Sequence, residues 1–168
     1  MNPNVSFFDQ FQVCAGFIPV DMSTAANSGD WLNMENYESV VFLLYKAAGT
    51  AGDDPTLTIQ QATDASGTGA KALTFTDIYV KQGTLTSVGQ YTRTTQAAAN
   101  TYTDATSAEI AAIWGVQVRA EDLDIENAFT FVQGSVADVG VNAQLGALLC
   151  IGINARYGLG DNLPSMLA

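Results

Sequence analysis

The chain has 168 residues, 48% of them hydrophobic, with 17 acidic and 6 basic residues and no histidine, for a formal net charge of −11 at neutral pH. That length suits one domain with its own core, and that apolar content argues against intrinsic disorder, because enough surface can be buried to offset chain entropy. A charge this negative repels phosphate backbones and anionic lipid, so neither nucleic acid nor membrane is expected as a partner, which leaves proteins, small ligands or cations.

Residues 1–17 read as an N-terminal arm or first strand. Phe7, Phe8 and Phe11 put three rings near a chain end, at an i, i+1, i+4 spacing that fits neither face of a strand cleanly. Two readings stay open for them, the first strand's own core or a partner-binding segment. No cation precedes Lys46, so a secretory n-region is missing and the chain is expected to work in the compartment where it is made.

Residues 18–157 carry the strand signals. The run 38–46 is almost continuously apolar and ends at a breaker spanning 49–55, which predicts a central strand covered on both faces. In 56–62 polar and apolar residues alternate, placing Leu57, Ile59 and Gln61 on one face, and 64–69 supply turn chemistry. Further short strands are predicted at 72–75, 78–81, 90–94, 113–119 and 129–136. A last one at 143–155 contains Gly146 and Gly152, which suggest a bulge or close approach of another backbone. The segment 105–111 supports at most one helical turn, and the acidic patch 121–127 reads as an extended edge or turn. Strands spaced about ten residues apart with Gly and Asp punctuation indicate an all-β fold, a β-sandwich or jelly roll. Its expected core includes Val41, Leu43, Ile59, Phe75, Trp114, Val116, Phe131, Leu148 and Ile151. Residues 158–168 form a C-terminal tail in which Leu163, Met166 and Leu167 are candidate partner contacts.

Chemistry is hard to build from these residues. Without histidine the usual general base and the commonest metal ligand are missing, so Ser-His-Asp and Cys-His arrangements cannot form. A two-carboxylate glycosidase remains formally possible from Asp53, Asp54, Glu121 or Asp124, yet nothing separates a raised-pKa acid from solvated turn carboxylates. The segment Gly67-Thr68-Gly69-Ala70-Lys71 lacks the phosphate-loop spacing. Asp53-Asp54 and the series Asp122, Asp124, Glu126 offer oxygen ligands for Ca²⁺ without the twelve-residue loop. No catalytic residue, cofactor or metal is therefore expected. Cys14 and Cys150 each sit in an apolar run and are expected to be buried, reduced thiols, with no neighbouring cation or helix N-terminus to favour thiolate; a bridge between them is the alternative, since their separation leaves its geometry unconstrained. Trp31, Tyr37, Tyr45 and Trp114 are expected mainly in the core, the alternative being to stack on a sugar or a partner.

Several blocks carry a family resemblance. They are Asn27-Ser28-Gly29-Asp30-Trp31, the run 48–64 around Gly52-Asp53-Asp54-Pro55, the run 67–73, Ala120-Glu121-Asp122-Leu123-Asp124, and Val136-Ala137-Asp138-Val139-Gly140. Together they resemble a family of small structural proteins of tailed bacteriophages, of the capsid decoration or cement type, from about Ile18 to Tyr157. The resemblance implies a virion component that binds the major capsid protein on the outer shell, often as a trimer at local symmetry axes, assembled in the host cytoplasm. It brings no catalytic residues. The competing expectations are a head-tail connector, tail or fibre-associated virion protein, and a carbohydrate-binding jelly-roll module, which needs an exposed planar row of aromatics.

Overall fold

In the computed structural model, residues 4–87, 89–104, 110–157 and 163–167 are described. The fold is all-β and antiparallel. Its strands are β1 (Phe11–Asp21), β2 (Asn27–Ser28), β3 (Leu32–Asn33), β4 (Tyr37–Lys46), β5 (Thr56–Ala62), β6 (Lys71–Ala72), β7 (Phe75–Gln82), β8 (Thr92–Ala99), β9 (Thr101–Thr103), β10 (Ala112–Arg119), β11 (Phe131–Val136) and β12 (Leu145–Ala155). Helical structure among the described residues is confined to short 3₁₀ turns such as Phe7–Asp9, Ala120–Asp122 and Ile125–Asn127.

The strands form two sheets. One runs β1-β12-β4-β10-β7-β8; the other runs β2-β11-β5-β6, with β3 also on β11 and β9 also on β5. The chain changes sheet between β1 and β2, β3 and β4, β4 and β5, β6 and β7, and again at each step from β8 to β12. This is the strand order of a jelly roll, with β7 and β8 added as a hairpin on one edge of the first sheet. Both edges of that sheet are blunted: β1 carries register shifts on either side of Phe17 and contains Pro19, while β8 is a polar, largely exposed strand.

Period-two alternation sets the core. On β4, Val40, Phe42 and Leu44 point inward, on β10 Trp114, Val116 and Val118, and on β12 Leu148 and Cys150; they meet Leu57, Ile59, Val132 and Val136 of the other sheet. The Trp114 and Tyr102 rings pack edge to face at 4.9 Å. Gly146 and Gly152 are places of close approach, though by side chains and not by backbone. A Cβ at Gly146 would lie 2.6 Å from Met22 Sδ, and one at Gly152 would lie 2.5 Å from Met166 Sδ and 2.9 Å from the Tyr37 ring.

Several expectations need correction. The strand predicted at 38–46 is central, but only one of its faces is covered: Val41 and Leu43 are half-buried and Tyr45 is exposed. Ile151 and Phe131 are likewise half-buried, because the inward phase of their strands runs through Cys150 and Val132. The segment predicted as a strand at 72–75 is where the chain leaves β6 and crosses to β7. The boundary placed after residue 17 falls inside β1, and Met166, offered as a partner contact, is 1% exposed in the chain's own core. Its backbone explains why: the Asn33 N–H donates to the Met166 carbonyl (2.8 Å), and the Tyr37 hydroxyl donates to the Pro164 carbonyl (2.5 Å). The helical turn considered at 105–111 lies mainly outside the described residues.

Alternation at the end of β4 also buries a charge. Lys46 is 1% exposed, and its ammonium donates to the Ile110 carbonyl at 2.6 Å. Burial pulls its pKa down to about 8, against the opposing pull of the Asp104 and Asp54 carboxylates.

Two outcomes follow from this packing. Leu44→Ala is expected to cost about 2–5 kcal/mol, as for a filled core site, whereas Leu43→Ala on the outward face is expected to cost about 1 kcal/mol. Chemical denaturation reads the difference, and equal losses would mean that Leu43 is covered. For Lys46, the folded pKa lies below the ordinary lysine value of about 10.4. Between about pH 8 and 10 the unfolded chain therefore holds a proton the folded chain has released, so this residue's contribution to stability rises with pH. Urea midpoints of the wild type relative to Lys46→Met should climb across that window; a flat difference would show that Lys46 stays charged when folded.

Candidate functional site

The same alternation that fills the core leaves a second apolar layer with nothing over it, on the outward face of the six-stranded sheet. Strand register lays these side chains out in rows. Phe11, Ile153, Ser39 and Arg119 are successive neighbours across β1, β12, β4 and β10, and the next row is Val13, Ile151, Val41 and Gln117. A third row runs Ala15, Leu149, Leu43, Gly115, Tyr79 and Arg93, and a fourth Ala147, Tyr45, Ile113 and Lys81. Val41, Leu43 and Ile151 are half-buried, Leu149 is 43% exposed and Tyr45 is 55% exposed. Between β4 and β7 the face dips into a trough of about 200 Å³ lined by Val41, Leu43, Tyr79, Tyr91, Gly115 and Gln117. Gly115 forms its floor, since a Cβ there would already touch Leu43 and Tyr79 at 3.4 and 3.6 Å.

The N-terminal rings continue this face past its edge. Phe11 opens β1 and is buried; Phe7, in the 3₁₀ turn before it, stacks on Phe11 with ring centroids 4.8 Å apart and meets Phe8 edge to face at 5.4 Å. Phe8 itself is 73% exposed. The three rings thus divide between the two readings open for them: Phe11 belongs to the strand, and Phe8 is presented to solvent. At the other chain end Leu163 is half-buried, and Leu167 is exposed while its backbone bridges Leu32.

Charge is distributed unevenly around the face. Lys81, Arg93 and Arg119 project from it, and Arg156 lies at its Ser39 end beside Glu38 and Arg119. Four of the six basic residues therefore belong to this side of a strongly acidic chain. Arg93 pairs with Asp77 at 2.8 Å and Arg119 with Glu121 at 3.0 Å, so the rim is charged but close to balanced.

Of the carboxylates singled out from sequence, Asp53, Glu121, Asp122 and Asp124 are engaged in holding loops, whereas Asp54 Oδ1 is buried without a hydrogen-bond partner. Asp53 accepts from the Asn142 backbone and side chain at 3.1 and 2.8 Å. Asp122 accepts from the Arg119 N–H at 2.9 Å, and Glu121 takes the Arg119 guanidinium. Asp124 pairs with Lys71 and accepts from Asn127, and these partners hold its carboxyl below the usual range, Lys71 first. Among the described residues no three carboxylate or cysteine side chains converge as a metal cluster. Gly67 to Lys71 form the turn between β5 and β6, where Asp64 accepts from the Ser66 and Thr68 N–H groups and Gly67 lies against the Trp31 ring. Tyr37 and Trp114 are fully buried, and Tyr45 alone of the four aromatics named from sequence is exposed. No helix of the described residues is long and apolar enough to cross a membrane.

The signal for the outward face was present in the sequence as apolar residues on both phases of 38–46 and 143–155. What sequence does not state is which phase the second sheet covers. A scan of protein-family models finds no match to the chain, and neither curated proteins nor solved structures yield one.

Proposed function

We propose that this chain is a structural virion protein, a capsid decoration or cement protein, which docks the outward face of its six-stranded sheet on the outer surface of the major capsid protein. The observation that carries the reading is the continuous apolar layer from Val13 across Leu149 and Leu43 to Tyr79, left uncovered in a chain whose remaining surface is strongly acidic. Isolated exposed apolar residues are ordinary, but a contiguous layer with a paired-charge rim has the composition of a protein contact. Each of the four rows crosses at least four strands, which at about 4.8 Å between strands and about 6.8 Å between rows gives a projected patch of about 14 by 20 Å. With the third row reaching Tyr79, it forms the centre of a contact, the rest of the roughly 800 Å² that each partner contributes to an ordinary specific interface coming from the rim. The partner class comes from the sequence resemblance.

A second reading rests on Tyr45, Tyr79 and Tyr91, three exposed rings on one sheet face, which is the arrangement a carbohydrate-binding jelly roll uses for stacking. Binding to immobilised glycans that is lost in Tyr79→Ala would favour it.

Docking through the apolar layer makes two expectations. Leu149→Lys should weaken binding to decorated-type particles or to the isolated capsid protein at least about tenfold while the unfolding midpoint holds, because a charge is buried in the complex and remains solvated in the free chain. Undiminished binding would exclude the face. Raising salt from about 0.1 to 1 M should change affinity less than about threefold, since the contact is apolar and two of its four rim cations, Arg93 and Arg119, are already paired; a steep loss would instead point to the acidic surface as the contact.

A further inference from the structure

We propose that Cys14 and Cys150 form a peroxide-sensitive dithiol that closes to a cross-strand disulfide and ties the first strand of the sandwich to the last. The two residues are direct partners in the β1–β12 register, and both thiols are free. Facing residues of an antiparallel pair have Cα atoms about 4.5–5.5 Å apart, inside the roughly 4.4–6.8 Å that a disulfide spans. Cys150 is buried on the inner face of β12, and Cys14 is half-buried opposite it. Closure needs side-chain rotation and no movement of either strand.

The pair is chemically asymmetric. The neighbouring Cys150 thiol pulls the Cys14 pKa down, against burial and the nearby Asp30 carboxylate. The Cys14 neighbour and burial push Cys150 up. Cys14 also lies on an edge strand, next to a register shift at Ala15 and Phe17 that opens the ladder locally. Of the two, Cys14 is therefore the thiol that meets an oxidant first.

Hydrogen peroxide is the oxidant of fitting size. The Cys14 thiolate attacks one peroxide oxygen, the O–O bond breaks, and the product is a sulfenic acid plus hydroxide, which takes up the proton Cys14 released. The Cys150 sulfur then attacks the Cys14 sulfur, the S–O bond breaks, and the oxygen leaves as water with the Cys150 proton. Two thiols lose two electrons and peroxide is reduced to two waters. The inference does not depend on the docking role, although the strand it fastens is the one that carries Phe11 and the rings stacked on it.

The test uses the native chain, treated with hydrogen peroxide and then alkylated with iodoacetamide in denaturant. Both alkylatable thiols should disappear together, with an intact mass about 2 Da lower and a linked Cys14–Cys150 peptide. The oxidised chain should unfold at a higher temperature, and dithiothreitol should reverse both changes. In Cys150→Ser, the Cys14 sulfenic acid should persist and be trapped by dimedone, while Cys150 in Cys14→Ser should oxidise at least about tenfold more slowly than the pair. Thiols that stay alkylatable, a Cys14 that proceeds to sulfinic acid beside free Cys150, or disulfides between chains would each overturn the proposal.

Discussion

The contact on which the rest of the structure depends is the meeting of the two sheets across Gly134. A Cβ there would lie 2.8 Å from Leu148 Cδ2 and 2.9 Å from Phe42 Cδ1, so β11 presents bare backbone where β12 and β4 present large side chains. That fit fixes which phase of β4 and β12 faces inward. Once Phe42 and Leu148 are committed to the core, a strand's period of two commits Val41, Leu43, Leu149 and Ile151 to the opposite side. The core and the exposed apolar face are thus two outcomes of one constraint. No separate device is needed to make the outward layer, and no local change can remove it without altering residues adjacent to the core.

The jelly-roll order places the first and last strands side by side at one edge of the larger sheet. It also explains the cysteine pair, since residues near opposite ends of the sequence become direct partners. The strand order does not decide what the molecule binds, because jelly rolls serve as capsid components and as lectins alike. The proposed contact rests on the outward face, where tyrosines, aliphatic side chains and ion pairs coexist. Asp53 and Asp124 are engaged elsewhere in shaping turns, and Lys46 is sealed from solvent.

Much of the architecture was legible in the sequence where one face is wet. The strand at 56–62 was read to the residue because Leu57, Ile59 and Gln61 alternate with threonine and glutamine, and the 64–69 turn because Asp64 and Gly67 state it chemically. Doubly apolar strands were legible as strands but not in phase. Val41 and Phe42 are equally hydrophobic, and only the opposing sheet distinguishes them. β1 was obscured by its irregular edge, where Gly16 and Pro19 interrupt the pattern. The burial of Met166 was invisible because its partners, Asn33, Tyr37 and Gly152, reach it only through tertiary pairing. The face-to-face cysteines were hidden for the same reason, as register across a sheet leaves no trace in spacing along a chain.

The central claim is that the outward face of β1, β12, β4 and β10 is a protein contact on an assembled shell. A density map of the particle carrying this chain tests it most directly. The account predicts that Val13, Leu149, Leu43 and Tyr45 lie against the major capsid protein, with the smaller sheet turned to solvent. A map that places the smaller sheet against the shell, or that finds the chain bound elsewhere in the virion with its six-stranded face bare, would contradict it.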